Sequence, residues 1–142
     1  MFKSCAHLIE CPELPATDLR DYCYSTMFAG CRSLTKTGQT LWTNTANKCC
    51  ERMFYSCTGL TDVSDTIFSD DINLTTACYY GMFEKCINIS SVRILKKVLP
   101  DSADSCFGRM FAGCGALSEI VYYCDKLGED ANTGINHTLY WV

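Results

Sequence analysis

Five copies of the tetrad Met-Phe-x-x-Cys recur in phase along the chain, at Met1, Met27, Met53, Met82 and Met110, with steps of 26, 26, 29 and 28 residues. A repeat of this length limits the chain to architectures in which each unit packs mainly on its neighbours, because no single unit is long enough to bury its own apolar face. Four residues ahead of the Met in four copies stands another cysteine (Cys23, Cys49, Cys78, Cys106), followed in three of them by Tyr24, Tyr79 or Phe107. Three residues after the second cysteine comes Leu8, Leu34, Leu60, Ile89 or Leu117. One unit therefore reads Cys-aromatic-x-x-Met-Phe-x-x-Cys-x-x-Leu.

Cys, Met and Cys at i, i+4 and i+8, with Phe at i+5, drift slowly round a 3.6-residue period and form one apolar stripe. That pattern predicts a short helix of about two to three turns in each unit. Gly30 and Gly113 suit the C-terminal turn of such a helix, a place held by Ser4, Ser56 and Lys85 in the other copies. Three residues beyond the Leu the chain is again mostly apolar (Cys11, Val63, Val92, Ile120, with Thr37 the exception), which predicts a strand of about three to five residues. Pro12 and Pro15 exclude helix from the first crossing between units. The expected fold class is α/β: a leucine-rich-repeat solenoid with one short parallel strand and one short helix per 26–29-residue coil. It is expected to occupy residues 1–121 with its first coil incomplete, followed by a C-terminal cap or linker segment over 122–142. Met1 falls in the middle of a stripe whose upstream half is missing, so further repeats or another chain are expected to continue or cover that end.

The run Cys23-Tyr24-Ser25-Thr26-Met27-Phe28-Ala29-Gly30-Cys31-Arg32-Ser33-Leu34-Thr35, with Pro12 to Leu19 as the crossing, resembles the BspA-like bacterial leucine-rich repeats, and the likeness runs through roughly residues 1–121. The resemblance implies a curved solenoid on secreted or cell-surface proteins of gut and oral bacteria, or on proteins of their phages, with adhesion to host or bacterial partners as the activity. Thr37-Gly38-Gln39-Thr40 and Arg93-Ile94-Leu95-Lys96-Lys97 depart from the Pro-containing crossing of that family.

Composition removes several classes of function. With 12 Lys+Arg against 16 Asp+Glu the net charge is −4, and no basic cluster tracks a phosphate backbone, so nucleic acid is not an expected partner. No stretch approaches the ~18 apolar residues of a membrane span, and Met1-Phe2-Lys3-Ser4-Cys5 does not open a signal peptide. Twelve cysteines in 142 residues raise the question of a disulfide scaffold. Equivalent cysteines on packed helices would lie ~8–10 Å apart, beyond the ~4.4–6.8 Å that a bridge spans, so the columns are expected to be small apolar core residues. Cys11, Cys50 and Cys124 stand outside the two columns and are the candidates for reactive or bridged thiols, with adjacent Cys49 and Cys50 pointing in different directions.

There is no Cys-x-x-Cys, no Gly-x-Ser-x-Gly, no His-Glu-x-x-His and no phosphate loop, and the two histidines, His7 and His137, lie four coils apart. No cofactor, metal or catalytic residue is therefore expected, and the reading is non-enzymatic. Strand alternation turns outward the residue two after each Leu, giving a column of Glu10, Lys36, Asp62, Ser91 and Glu119, and two further on Pro12, Gly38, Ser64, Arg93 and Val121. Glu10, Lys36, Asp62, Ser91, Arg93 and Glu119 are the candidate partner-binding residues on that face, for a protein or glycan partner met outside the cell or at its surface. The alternative is a structural spacer or decoration module in a larger assembly such as a phage particle. Trp42, Trp141, Tyr122 and Tyr123 are the remaining aromatic candidates, for the core, the cap or a contact surface. The Asn-x-Ser/Thr sequons at Asn73, Asn88 and Asn136 are chance matches in a bacterial setting.

Overall fold

The computed structural model describes residues 1–124. Residues 125–142, with most of the expected cap and with His137, Asn136 and Trp141, lie outside the described residues. Among the described residues regular structure is sparse: two parallel strands, β1 (Ser91–Ile94) and β2 (Glu119–Tyr122), and two single 3-10 turns at Asp65–Phe68 and Asp101–Ala103. The expected α/β leucine-rich-repeat solenoid is overturned. No stripe is helical, and the parallel sheet is one pair of four-residue strands.

The reason lies in where the backbone N–H groups go. In a helix every N–H reaches back to i−4. In the third repeat the N–H groups alternate instead. Those of Cys49, Glu51, Met53, Tyr55 and Cys57 close turns onto the carbonyl three residues back, while those of Lys48, Cys50, Arg52, Phe54 and Ser56 donate across to the fourth repeat. The fourth repeat does the same toward the fifth, for example Phe83 N–H to the Met110 carbonyl at 3.0 Å. Every fourth residue takes a left-handed backbone (Lys48, Arg52, Ser56; Ala77, Gly81, Lys85; Ser105, Arg109, Gly113), which breaks a helix and is the third position of a type II turn. Each unit is thus a chain of linked turns with a period of four. Cys, Met and Cys at i, i+4 and i+8 fit that period better than 3.6. Gly30 and Gly113 are left-handed as a C-terminal turn would require, but so are Ser4, Ser56 and Lys85 at the same position. For residues other than Gly this conformation costs about 1–2 kcal/mol each, and the ladder to the next repeat is what holds it.

The alternation turns pairs of residues inward. Cys49, Cys50, Met53, Phe54 and Cys57 are buried, as are Cys78, Tyr79, Met82, Phe83 and Cys86. With the repeats joined by backbone hydrogen bonds, equivalent side chains fall on one another. Phe2, Phe28, Phe54, Phe83 and Phe111 form one column of near-parallel rings with successive centroids 5.5, 5.4, 5.5 and 6.1 Å apart. A second aromatic column would run Tyr24, Tyr79, Phe107, but the third repeat places Cys50 where a ring would stand. Trp42, from the crossing, fills the gap, stacked on Tyr24 at 5.9 Å and tilted against Tyr79 at 6.2 Å.

The strand segments are shorter than expected because only the last pair extends beyond single bridges. Glu10, Lys36 and Asp62 pair in parallel one residue at a time, whereas β1 and β2 pair over four residues, Ser91 with Glu119 through Ile94 with Tyr122. Close approach before these bridges depends on Gly59: a Cβ there would overlap the Arg32 carbonyl oxygen and stand 3.1 Å from that of Leu34. Gly59→Ala is expected to cost about 1–3 kcal/mol, read as a lower urea midpoint with an unchanged slope.

Candidate functional site

The six residues expected to form a partner-binding face are all exposed. Backbone pairing sets Glu10 beside Lys36 and Lys36 beside Asp62, and separately Ser91 beside Glu119 and Arg93 beside Val121. No bridge joins Asp62 to Ser91 among the described residues. The link there is Arg93, whose Nη1 meets Asp65 Oδ2 of the preceding repeat at 3.3 Å. Lys36 Nζ lies 3.8 Å from Glu10 Oε1, both side chains more than half exposed, a pair worth ~0–1 kcal/mol and free to exchange partners. The face is a run of alternating charges on a backbone fixed from behind by Leu34, Leu60, Ile89 and Val92. Trp42 is a core residue, while Tyr122 and Tyr123 stay half exposed next to the end of β2.

The cysteines form two columns that are buried from Cys31 and from Cys49 onward, with the first members Cys5 and Cys23 exposed, and the distance argument against bridging fails with the helices, because the repeats approach at hydrogen-bonding distance. What the second column does is visible in its donors. Cys31, Cys57, Cys86 and Cys114 each direct Sγ at the carbonyl of the Phe in the preceding repeat, at 2.9, 3.1, 3.0 and 3.1 Å. A thiol is small and apolar enough for the core and still a weak donor. Burial pushes Cys57 and Cys78 up to about 12 and Cys114 up to about 11, and raises Cys50, Cys86 and Cys106 strongly as well. Cys49 and Cys50 do not point apart: both are buried, with their sulfurs 3.8 Å apart, and the hydrogen bond between them lowers the Cys49 thiol. Cys50 is therefore no reactive thiol, and the exposed cysteines are Cys5 and Cys23. Cys124 directs its sulfur at the Lys96 carbonyl at 2.9 Å.

Cys11 lines a cavity of about 370 Å³ with Glu13, Leu14, Pro15, Gly38, Gln39 and Leu41. Burial raises this thiol, the reverse of what a nucleophile needs. Among the described residues no three His, Cys, Asp or Glu side chains are grouped to hold a metal ion, and no helix is long and apolar enough to cross a membrane.

Sequence reasoning missed one cluster. Glu84, with only 6 % of its side chain exposed, accepts Arg52 Nε at 3.2 Å and Arg109 Nη2 at 2.9 Å, joining three successive repeats. Gly81 makes room for it. In the column Arg52, Gly81, Arg109 the glycine is left-handed, and a Cβ on it would stand 3.1 Å from both the Arg52 side chain and Glu84 Oε2. Burial alone would raise the Glu84 carboxyl, but the two guanidiniums outweigh it and hold the group below its ordinary value of 4.5. Its folded value being depressed, this contribution is present above about pH 4.5 and lost as pH falls through the folded value. Glu84→Gln is expected to cost about 1–3 kcal/mol at neutral pH and to flatten the acid side of the stability profile, as measured by urea unfolding at a series of pH values. The available signal was the arginines recurring at the same place in the third and fifth units, with Gly between them in the fourth.

No family model, curated protein or solved structure matches this chain.

Proposed function

We propose that this chain is a non-enzymatic binding unit that holds a protein or glycan partner on the exposed face bearing Glu10, Lys36, Asp62, Ser91, Arg93 and Glu119. The observation that carries the reading is the backbone register, which places Glu10, Lys36 and Asp62 side by side and Ser91 beside Glu119 with every one of them exposed. A fixed backbone presenting exposed, exchangeable ion pairs supplies orientation and charge complementarity without a cavity. The adhesive setting, on a secreted or surface protein, is the one implied by the resemblance of the repeat unit.

The test is binding to arrayed glycans and immobilised extracellular-matrix proteins, with the triple variant Lys36→Glu, Asp62→Lys, Arg93→Glu as the comparison. A partner bound by the parent chain and at least tenfold weaker by the variant supports the proposal. A partner bound equally by both, or none bound at all, removes it. The spacer alternative draws on the continuous ladder of hydrogen bonds between repeats; it predicts that the triple variant keeps its thermal midpoint and loses no ligand.

A further inference from the structure

Five side chains from three repeats touch one another in sequence on the turn chains. Arg109 and Arg52 both bond Glu84; the Arg52 guanidinium carbon lies 5.8 Å from the centre of the Tyr55 ring, and Lys85 Nζ lies 5.4 Å from the same centre. The Tyr55 hydroxyl also hydrogen-bonds Lys85, which lowers the phenol and raises the amine. One buried carboxylate thus answers three cations, and the cluster is net positive in a chain whose net charge is −4. The neighbouring Glu51 is engaged by Lys48 at 3.7 Å.

We infer that this cluster is a binding site for a sulfated polysaccharide lying across the stack of repeats. Long cationic side chains ordinarily lose much rotamer freedom when they engage a ligand; here Glu84 and Tyr55 have fixed them beforehand. Arg52 uses only Nε on Glu84, and its two terminal nitrogens make no hydrogen bond among the described residues, leaving an edge of the fork for a planar or tetrahedral anion. Arg52 and Arg109 hold equivalent positions in the third and fifth repeats, two backbone spacings of ~4.8 Å apart, and Lys85 lies one turn further along the fourth repeat between them. Three cations set out over three repeats in this way match a chain carrying several anions better than one compact ion. Tyr80, whose carbonyl accepts the Arg52 N–H at 2.9 Å, lays its ring over Gly108, the residue before Arg109, where a Cβ would come within 2.8 Å of it, and offers an apolar edge of the kind that packs on sugar rings. The overall negative charge disfavours the dense phosphate line of a nucleic acid.

This site lies in a different part of the repeat from Lys36 and Arg93, so it stands or falls apart from the function proposed above. The experiment is calorimetric titration of the reduced chain with a heparin-type sulfated octasaccharide at low salt, against the same saccharide desulfated. Expected are saturable binding, none to the desulfated form, and at least a tenfold loss in Arg52→Gln/Lys85→Gln, while Lys36→Gln/Arg93→Gln stays within twofold. Circular dichroism checks that each variant is folded; if the double variant is not, Lys85→Gln alone, at an exposed side chain, is expected to lose about threefold. No binding, equal loss in both double variants, or tighter binding of single-stranded DNA or polyglutamate overturns the assignment.

Discussion

Between about pH 10 and 11 the fully reduced chain is expected to unfold in one cooperative step, while at pH 8 it stays folded. Cys50, Cys57, Cys78, Cys86, Cys106 and Cys114 are all buried, and burial raises each thiol above its ordinary value of 9.0. In the unfolded chain they ionise near that ordinary value; in the fold they do not. Stability is therefore complete below about pH 9 and falls as pH rises toward the folded values, by somewhat over 1 kcal/mol per thiol per pH unit. Six such thiols together remove roughly 6–9 kcal/mol one unit above their ordinary value, which is most of the ~5–15 kcal/mol that a domain has. Thiolate absorbance and far-ultraviolet dichroism, followed together under a phosphine reductant, should change at the same pH. Thiols that titrate near pH 9 with the dichroism unchanged would show that the columns are open to water.

Phe83→Ala is expected to destabilise the chain by about 3–5 kcal/mol, the largest cost of any single truncation along the ring column. Phe83 is fully buried, stacks on Phe54 at 5.5 Å and on Phe111 at 6.1 Å, and meets the edge of Phe68 at 6.2 Å. Removing it leaves a gap in the middle of the column that neither neighbour can close, because each is held by its own backbone ladder. Phe2→Ala serves as the comparison: Phe2 is half-buried and, among the described residues, stacks on Phe28 alone, so its loss should cost less than half as much. Equal urea midpoints for the two variants would mean that the column is not a continuous packed unit.

The repeat register, the inward positions of the cysteines, methionines and phenylalanines in the columns of the third to fifth repeats, and the outward positions of Glu10, Lys36, Asp62, Ser91, Arg93 and Glu119 were legible from the spacing, because residues in phase hold equivalent places in the repeat; Met1, Cys5 and Cys23, expected inward by the same spacing, are exposed. The local conformation was not. Spacings of four fit a helix of period 3.6 and a turn chain of period 4 almost equally over nine residues, and the two differ in whether an N–H is satisfied within its unit or by the next. That choice depends on a neighbour already in place: ten residues other than Gly adopt left-handed backbone where no local propensity favours it, each beside a hydrogen bond to the adjoining repeat. The Glu84 cluster was hidden for a related reason, since its three charged members are 32 and 25 residues apart in the chain and meet only when three units are laid together. The sequence by itself determined which residues are equivalent and which of them are apolar. The tertiary structure alone decided the backbone between them, because half of the hydrogen bonds that define it cross from one repeat to the next.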